Sequence, residues 1–409
     1  MLYYTNTVMK KLILKLKAVR AKKRFLLWAG FLLLAVILFL GAGFWGVKIV
    51  SYEKNDGISK IMKGLFVSEP EKSEIPPLDT VAYDLKLKEL ANNTTTSIPT
   101  VTIASNATNT NTTIPATQVV VKPELWPVKT VYPNAGAILP FSRIIAYYGN
   151  LYSTKMGVLG KYPEDEMLKK LGEEVKKWNE ADPNTPVVPA LHYIAVVAQG
   201  SKGEDGKYRL RMPDSEIDKV IKMAEKIPVR NASGIADAGG NAIVFLDIQV
   251  GLSNLQTEVP LLEKYLKLPQ VHLGIDPEFS MKTGARPGTV IGTFDAEDIN
   301  FATDYLAKIV KENNLTPKIF IVHRYTQKMI TNYKNIKLLP EVQIVMNMDG
   351  WGGQAKKKNT YQQFIYKEPV QFTGFKLFYK NDVRESGTVL MTPENVLGLR
   401  PKPIYIQYQ

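Results

Sequence analysis

From Arg143 onward the chain alternates between two hydrophobic rhythms. Continuous apolar runs stand at Ile144–Tyr148, Val187–Val197, Ile243–Ile248, Val271–Ile275, Ile319–Val322, Val342–Met348, Phe375–Tyr379 and Ile404–Tyr408. Between them lie stretches with apolar residues three and four apart, the spacing of a helix with one buried face: Glu164–Trp178, Asp214–Lys226, Val259–Leu266, Ala296–Lys311, Gln327–Tyr333, Lys357–Phe364 and Pro393–Leu397. Several open on capping sequences, as in Phe294-Asp-Ala-Glu-Asp298. Strands apolar on both faces belong to a parallel sheet covered by helices. Eight strand–helix units in residues 143–409 match the size of a (β/α)8 TIM barrel, with a doubly wound sheet as the alternative. The last strand falls at the C-terminus, where an eighth strand closes a ring. The pattern therefore predicts a barrel over 124–409, with the strand from about 143 beside the strand from about 403.

Polar chemistry gathers where these runs end. Val271-His-Leu-Gly-Ile-Asp-Pro-Glu-Phe279 stops at Pro277, which cannot continue a central strand, and leaves Asp276 and Glu278 at its mouth. Ile243–Ile248 carries Asp247 with Gln249 just beyond, Ile319–Val322 runs into His323 and Arg324, and Val342–Met348 holds Asn347 before Asp349 and Trp351. The C-terminal ends of barrel strands are where such folds keep their sites. The long connections after the second and fourth strands, 199–213 and 279–294, belong to the same rim. In the second of them Gly284, Gly288 and Gly292 let the chain turn, as a lid would.

Two carboxylates facing one groove are the minimum for acid-catalysed cleavage of an acetal. Glu278 is the candidate acid, since Phe279 and the apolar strand below lower the local dielectric and Asp276 disfavours a second charge beside it. Its partner carboxylate is expected from Asp247 or Asp349. Asp276, two residues away, sets the charge state of Glu278 or orients substrate. Tyr148 and Trp351 are candidate faces for sugar rings, with Gln249, His323, Arg324, Asn347 and Asp382 as further substrate contacts.

Only three histidines are present. His192 and His272 fall early in their strands, so no histidine metal centre and no cofactor are expected. A hard divalent ion on Asp247, Asp276, Glu278 and Asp349 is the alternative that would make the protein a metal-dependent hydrolase. There is no Gly-x-Ser-x-Gly elbow and no phosphate-binding Gly-x-x-x-x-Gly-Lys-Ser/Thr loop. Absence of cysteine excludes disulfides, thiolate nucleophiles and thiolate metal sites.

The first 123 residues read differently. Residues 25–47 are one apolar run long enough to span a bilayer, preceded in 1–24 by eight Lys and Arg and no acid. This predicts a transmembrane signal anchor with a cytoplasmic basic tail, a lipid-bilayer contact through 25–47, and an extracellular body. Those eight charges account for most of the net +13 and leave about five for the rest, so nucleic acid is not an expected partner. Residues 48–123, rich in Asn, Thr and Pro, predict a flexible stalk, in which 81–90 alone has a pattern that suits a helix or a strand on the body. No oligomeric state is specified by the pattern.

The strand-end acids give the body a resemblance to the (β/α)8 glycoside hydrolases and their extracellular relatives, whose catalytic acid commonly ends strand four. Asp276-Pro-Glu278 is similar to that placement, and Val244-Phe-Leu-Asp247 resembles strand-three ends of such barrels. The departure is at strand seven, where many members carry a nucleophile and this chain offers only Asp382 beyond Phe375–Tyr379. The resemblance covers 143–409. It implies a membrane-anchored glycoside hydrolase acting on cell-wall or surface polysaccharide, or else a noncatalytic carbohydrate-binding or cell-wall-binding barrel.

Overall fold

The computed structural model describes residues 75–92, 131–230 and 236–409. Eight parallel strands form the body: β1 Arg143–Gly149, β2 Val187–Ala198, β3 Ile243–Ile248, β4 Val271–Ile275, β5 Lys318–Arg324, β6 Val342–Met348, β7 Phe372–Leu377 and β8 Tyr405–Tyr408. Each pairs with its neighbours in chain order, and β1 pairs with both β2 and β8, with Ile144 opposite Tyr405 and Tyr147 opposite Tyr408. The ring is closed, so the barrel expected from the eightfold repeat is present and no strand edge is left open within it.

The helices cover the outside. In α2, Glu164–Ala181, the buried residues Met167, Leu171, Glu174 and Trp178 recur at helical spacing, and Glu164, Asp165 and Glu166 stand at the positive end of its dipole. Trp178 donates from Nε1 to the Tyr408 hydroxyl at 2.9 Å, which ties this helix to the closing strand. Outer helices α3 Asp214–Glu225, α4 Leu255–Leu261, α5 Ala296–Asn313, α6 Gln354–Tyr361 and α7 Pro393–Leu397 follow at the expected places. Asp295 and Asp298 form a reciprocal capping box at the start of α5.

Preceding the barrel is α1, Thr80–Ala91, which lies in the segment expected as stalk. Its Tyr83, Leu87 and Leu90 pack with Leu139, Ile144, Ile243, Ile319, Phe372 and Ile404, residues at or just before the starts of the barrel strands, and so plug the N-terminal mouth. Lys402 donates from its backbone to Leu90 at 2.7 Å, and Asn92 from its side chain to Leu399 at 2.8 Å, which fixes the plug to the chain leading into β8.

Two local expectations are corrected. Between β5 and β6 the Gln327–Tyr333 stretch forms no α-helix but two single 3-10 turns, Gln327–Met329 and Tyr333–Asn335. The β-branched pair Ile330–Thr331 prefers extended backbone and pairs with Phe294–Asp295, while Asn332 adopts a left-handed conformation that stops any helix there. Strand β7 begins three residues earlier than its apolar run suggested, at Phe372.

The membrane topology is corrected as well. Among the described residues no helix is long and apolar enough to cross a membrane. The longest, α2 and α5, keep one apolar face on the barrel and carry charge on the other. Residues 25–47 lie outside the described residues, as do 1–24 and most of 48–123. The transmembrane signal anchor, the bilayer contact through 25–47, the cytoplasmic N-terminus, the extracellular body and the membrane-anchored form of the function are accordingly withdrawn.

Candidate active site

The inward side chains of a barrel strand alternate with outward ones, and the register decides which of them meet. Asp247 on β3 lies opposite Gly274 on β4 and Ile194 on β2, while His323 on β5 lies opposite Asn347 on β6. The upper third of this interior is polar. Tyr148 donates to Asp247 Oδ2 at 3.2 Å, and Gln249 donates from Nε2 to the Tyr148 hydroxyl at 3.3 Å and to Asp276 Oδ2 at 3.4 Å. His323 Nδ1 meets Asp349 Oδ2 at 2.9 Å, and Lys376 Nζ lies 3.0 Å from Asp349 Oδ1. The same ammonium sits 3.8 Å from the centre of the Tyr148 ring. Asn347 Nδ2 is 3.4 Å from His323 Nδ1.

Above this layer opens a cleft of about 540 Å³. Tyr148, Gln249, Asp276, Glu278, Asp349 and Trp351 of the sequence-predicted set line it, together with Tyr325 and Lys376. The backbone explains the placement of the two rim acids. Asp276 accepts from the Glu278 amide at 3.1 Å, and this carboxylate cap starts a single 3-10 turn, Pro277–Phe279, directly at the end of β4. Glu278 is thereby lifted over the cleft while Asp276 points into it. Trp351, 43 % exposed, stands at the rim with the Lys356 ammonium 4.5 Å from its ring centre.

The charges of these acids are pushed in opposite directions. Burial alone would raise the Asp349 carboxyl, but Lys376 and His323 overcome it and hold it at about 2. Burial raises Glu278 above the ordinary carboxylate value, and the negative charge of Asp349 adds to the effect. Asp276 is raised well above its ordinary value, chiefly by burial and then by Glu278, Asp349 and Asp247, against the opposing charge of His323. Asp247 stays low because His323 and His192 outweigh its complete burial. His192 is pushed down to about 4 by burial, with Asp247 opposing.

Five predicted residues stand elsewhere than over the cleft, two of them, His323 and Asn347, fully buried in the layer below it. Asp247 lies one layer beneath the floor and has no exposed surface. Arg324 turns outward, where it donates to the carbonyls of Thr326, Gln327 and Phe364 and pairs with Glu368, so it braces the turns that replace the missing helix. Asp382 accepts from the backbone of Gly352 and Phe378, each at 2.9 Å, and pairs with buried Lys357, which anchors the loop carrying Trp351.

Lys376, Tyr325 and His192 were missed in the sequence. Lys376 had a signal: a lone lysine inside an apolar strand must find an acid. His192 had none without the register, which places it opposite Tyr148 and within 3.3 Å of Asp247. Tyr325, in the loop after β5, lines the cleft with Glu278, and the Glu278 charge helps burial raise its hydroxyl.

No family model matches the chain, and no curated protein matches it. Among solved structures it is weakly similar to glycoside hydrolase barrels. The cellulase Cel5C_n shares 12 % identity over 66 % of this chain and 75 % of that one, with a TM-score of 0.37. The Bacillus subtilis mannanase BCman shares 11 % over 66 % and 81 %, with a TM-score of 0.31.

Proposed function

We propose that the cleft hydrolyses glycosidic bonds, with Glu278 as general acid and Asp349 as the ionised partner. One observation carries the reading: two carboxylates line the same cleft in opposite charge environments. Asp349 is clamped by a lysine and a histidine, whereas Glu278 has a tyrosine hydroxyl beside it and, among the described residues, no cation within ion-pair distance. Divergent environments of this kind divide acid from base in carboxylate enzymes.

Glu278 gives its proton to the leaving glycosidic oxygen as the bond to the anomeric carbon breaks. Asp349 either attacks that carbon or takes a proton from the water that does, and in each case one water is consumed per bond. Asp276, whose carboxyl is raised well above its ordinary value chiefly by burial, hydrogen-bonds a substrate hydroxyl. Gln249 and Lys376 offer further hydrogen bonds, and Trp351 a flat face for a ring.

The test is release of new reducing ends from a panel of plant, fungal and bacterial polysaccharides by the full chain. A substrate cleaved by the wild type and not by Glu278→Gln or Asp349→Asn supports the reading. Binding of a glycan without cleavage by the wild type makes the barrel a noncatalytic binding module and rejects it.

A further inference from the structure

Beneath the floor of the cleft three side-chain atoms face one another without hydrogen-bond partners: His192 Nε2, Asp247 Oδ1 and His323 Nε2, each on a side chain with no exposed surface. Buried polar atoms nearly always have a partner. Three that lack one at a single point ask for a species that satisfies all of them together. His192 Nε2 lies 3.3 Å and His323 Nε2 3.7 Å from Asp247 Oδ1, and the three atoms fall within 4.8 Å of one another. A tetrahedral ion with bonds of about 2.0–2.1 Å sets neighbouring donors about 3.3–3.4 Å apart, so both measured separations come within about 0.4 Å of that spacing.

The far side of every ligand is already held. His192 Nδ1 meets the Tyr405 hydroxyl at 2.7 Å, His323 Nδ1 meets Asp349 Oδ2 at 2.9 Å, and Asp247 Oδ2 accepts from Tyr148 at 3.2 Å. Outer partners of this kind fix a ring's tautomer and orientation and turn its free nitrogen toward a metal. Gly274 permits the approach. A Cβ there would stand 2.6 Å from Asp247 Oδ1 and 2.7 Å from His192 Nε2, so both side chains reach this point only because the residue is glycine.

We propose that His192, Asp247 and His323 form a binding site for one divalent transition-metal ion of the zinc class. Two imidazoles and one carboxylate suit such an ion better than calcium or magnesium, which prefer all-oxygen sites. The ion lies below the cleft and reaches it through His323, whose Nδ1 holds Asp349. It therefore acts as a positioning centre for that carboxylate. The proposal does not rest on the hydrolytic reading, because metal binding is measured without a substrate.

The experiment is titration of the chelator-treated full chain with Zn2+ or Co2+, with thermal midpoint and Co2+ absorption as readouts. One ion per chain is expected, with a raised midpoint and the visible bands of a tetrahedral nitrogen–oxygen site. His192→Ala and Asp247→Asn should abolish binding, Asp349→Asn should weaken it about 10- to 100-fold, and Glu278→Gln should leave it intact. Absence of binding to the folded wild type overturns the proposal, as does binding that persists in folded His192→Ala. Loss in Glu278→Gln overturns it too, by placing the ion on the rim carboxylates. Should the ligand variants fail to fold, pulsed EPR of the Cu2+-loaded wild type decides by counting coordinated imidazoles: two support the site, one or none rejects it.

Discussion

The rim of the barrel is held by a clamp whose removal has a calculable cost. Glu258, at the start of α4, has no exposed surface and accepts from Arg209 Nε at 2.7 Å, Arg211 Nε at 2.7 Å and the Ser253 hydroxyl at 2.5 Å. It joins the long connection after β2 to the one after β3. Removing one partner of a buried ion pair costs about 3–5 kcal/mol, because the other is left uncompensated. Two features place Glu258→Ala near the lower end, at about 3 kcal/mol. The Arg211 side chain is 41 % exposed, so water screens its share. Arg209 also keeps Asp205, 2.7 Å from its Nη2. Arg211→Ala alone should then cost under about 1 kcal/mol. Urea unfolding followed by tryptophan fluorescence near neutral pH measures both. The paired arginines and Ser253 hold the Glu258 carboxyl below its ordinary value against the effect of burial. Its stabilisation is therefore complete above the unfolded value of 4.5 and is lost as pH falls through the depressed folded one. The difference between wild type and Glu258→Ala should shrink across that acidic window and nowhere above it. Equal, small losses for Glu258→Ala and Arg211→Ala, or a difference that is flat with pH, would refute the clamp.

The N-terminal plug makes a paired prediction. Tyr83→Ala should cost about 3–5 kcal/mol for an emptied aromatic site, while Tyr83→Phe should be neutral or stabilising, since the buried hydroxyl has no partner; denaturant midpoints of the two variants check it. Lys318, buried at the start of β5, donates to Leu268 at 2.6 Å and Val271 at 2.8 Å, and burial pushes it down to about 7. Lys318→Met should cost about 2 kcal/mol near neutral pH through lost carbonyl partners. Between about pH 7 and the ordinary value of 10.5 the unfolded chain binds the extra proton, so wild-type stability relative to Lys318→Met should rise with pH, a sign that paired melting curves read directly.

What was legible in the sequence follows from what each feature depends on. Strands buried on both faces announce themselves as continuous apolar runs, and Pro277 marks where β4 ends, so the ring and the rim position of Asp276 and Glu278 could be read residue by residue. The interior could not. Whether His192 faces Asp247 depends on the shear between β2 and β3, set by all eight strands together and shifted further by an irregularity between Ile194 and Val196. Lys376 carried a signal that went unread, a lysine inside an apolar strand, whereas Asp382 falls in the loop beyond β7. Arg324 looked like a rim cation, yet the turns after β5 expose carbonyls that only an outward guanidinium satisfies. The plug helix α1 leaves Val81 and Leu85 exposed while burying Tyr83, Leu87 and Leu90, so its pattern does not declare one face, and the ring it closes lies far along the chain.

The assignment of Glu278 as the proton donor is tested most directly by comparing two glycosides of one sugar, with good and poor leaving groups, on wild type and Glu278→Gln. A leaving group stable as an anion needs no proton, so its release should stay near the wild-type rate in the variant. A poor leaving group should be released about 10²- to 10⁴-fold more slowly, with binding unchanged. Equal losses on both substrates, or no loss on either, would contradict general acid catalysis by Glu278.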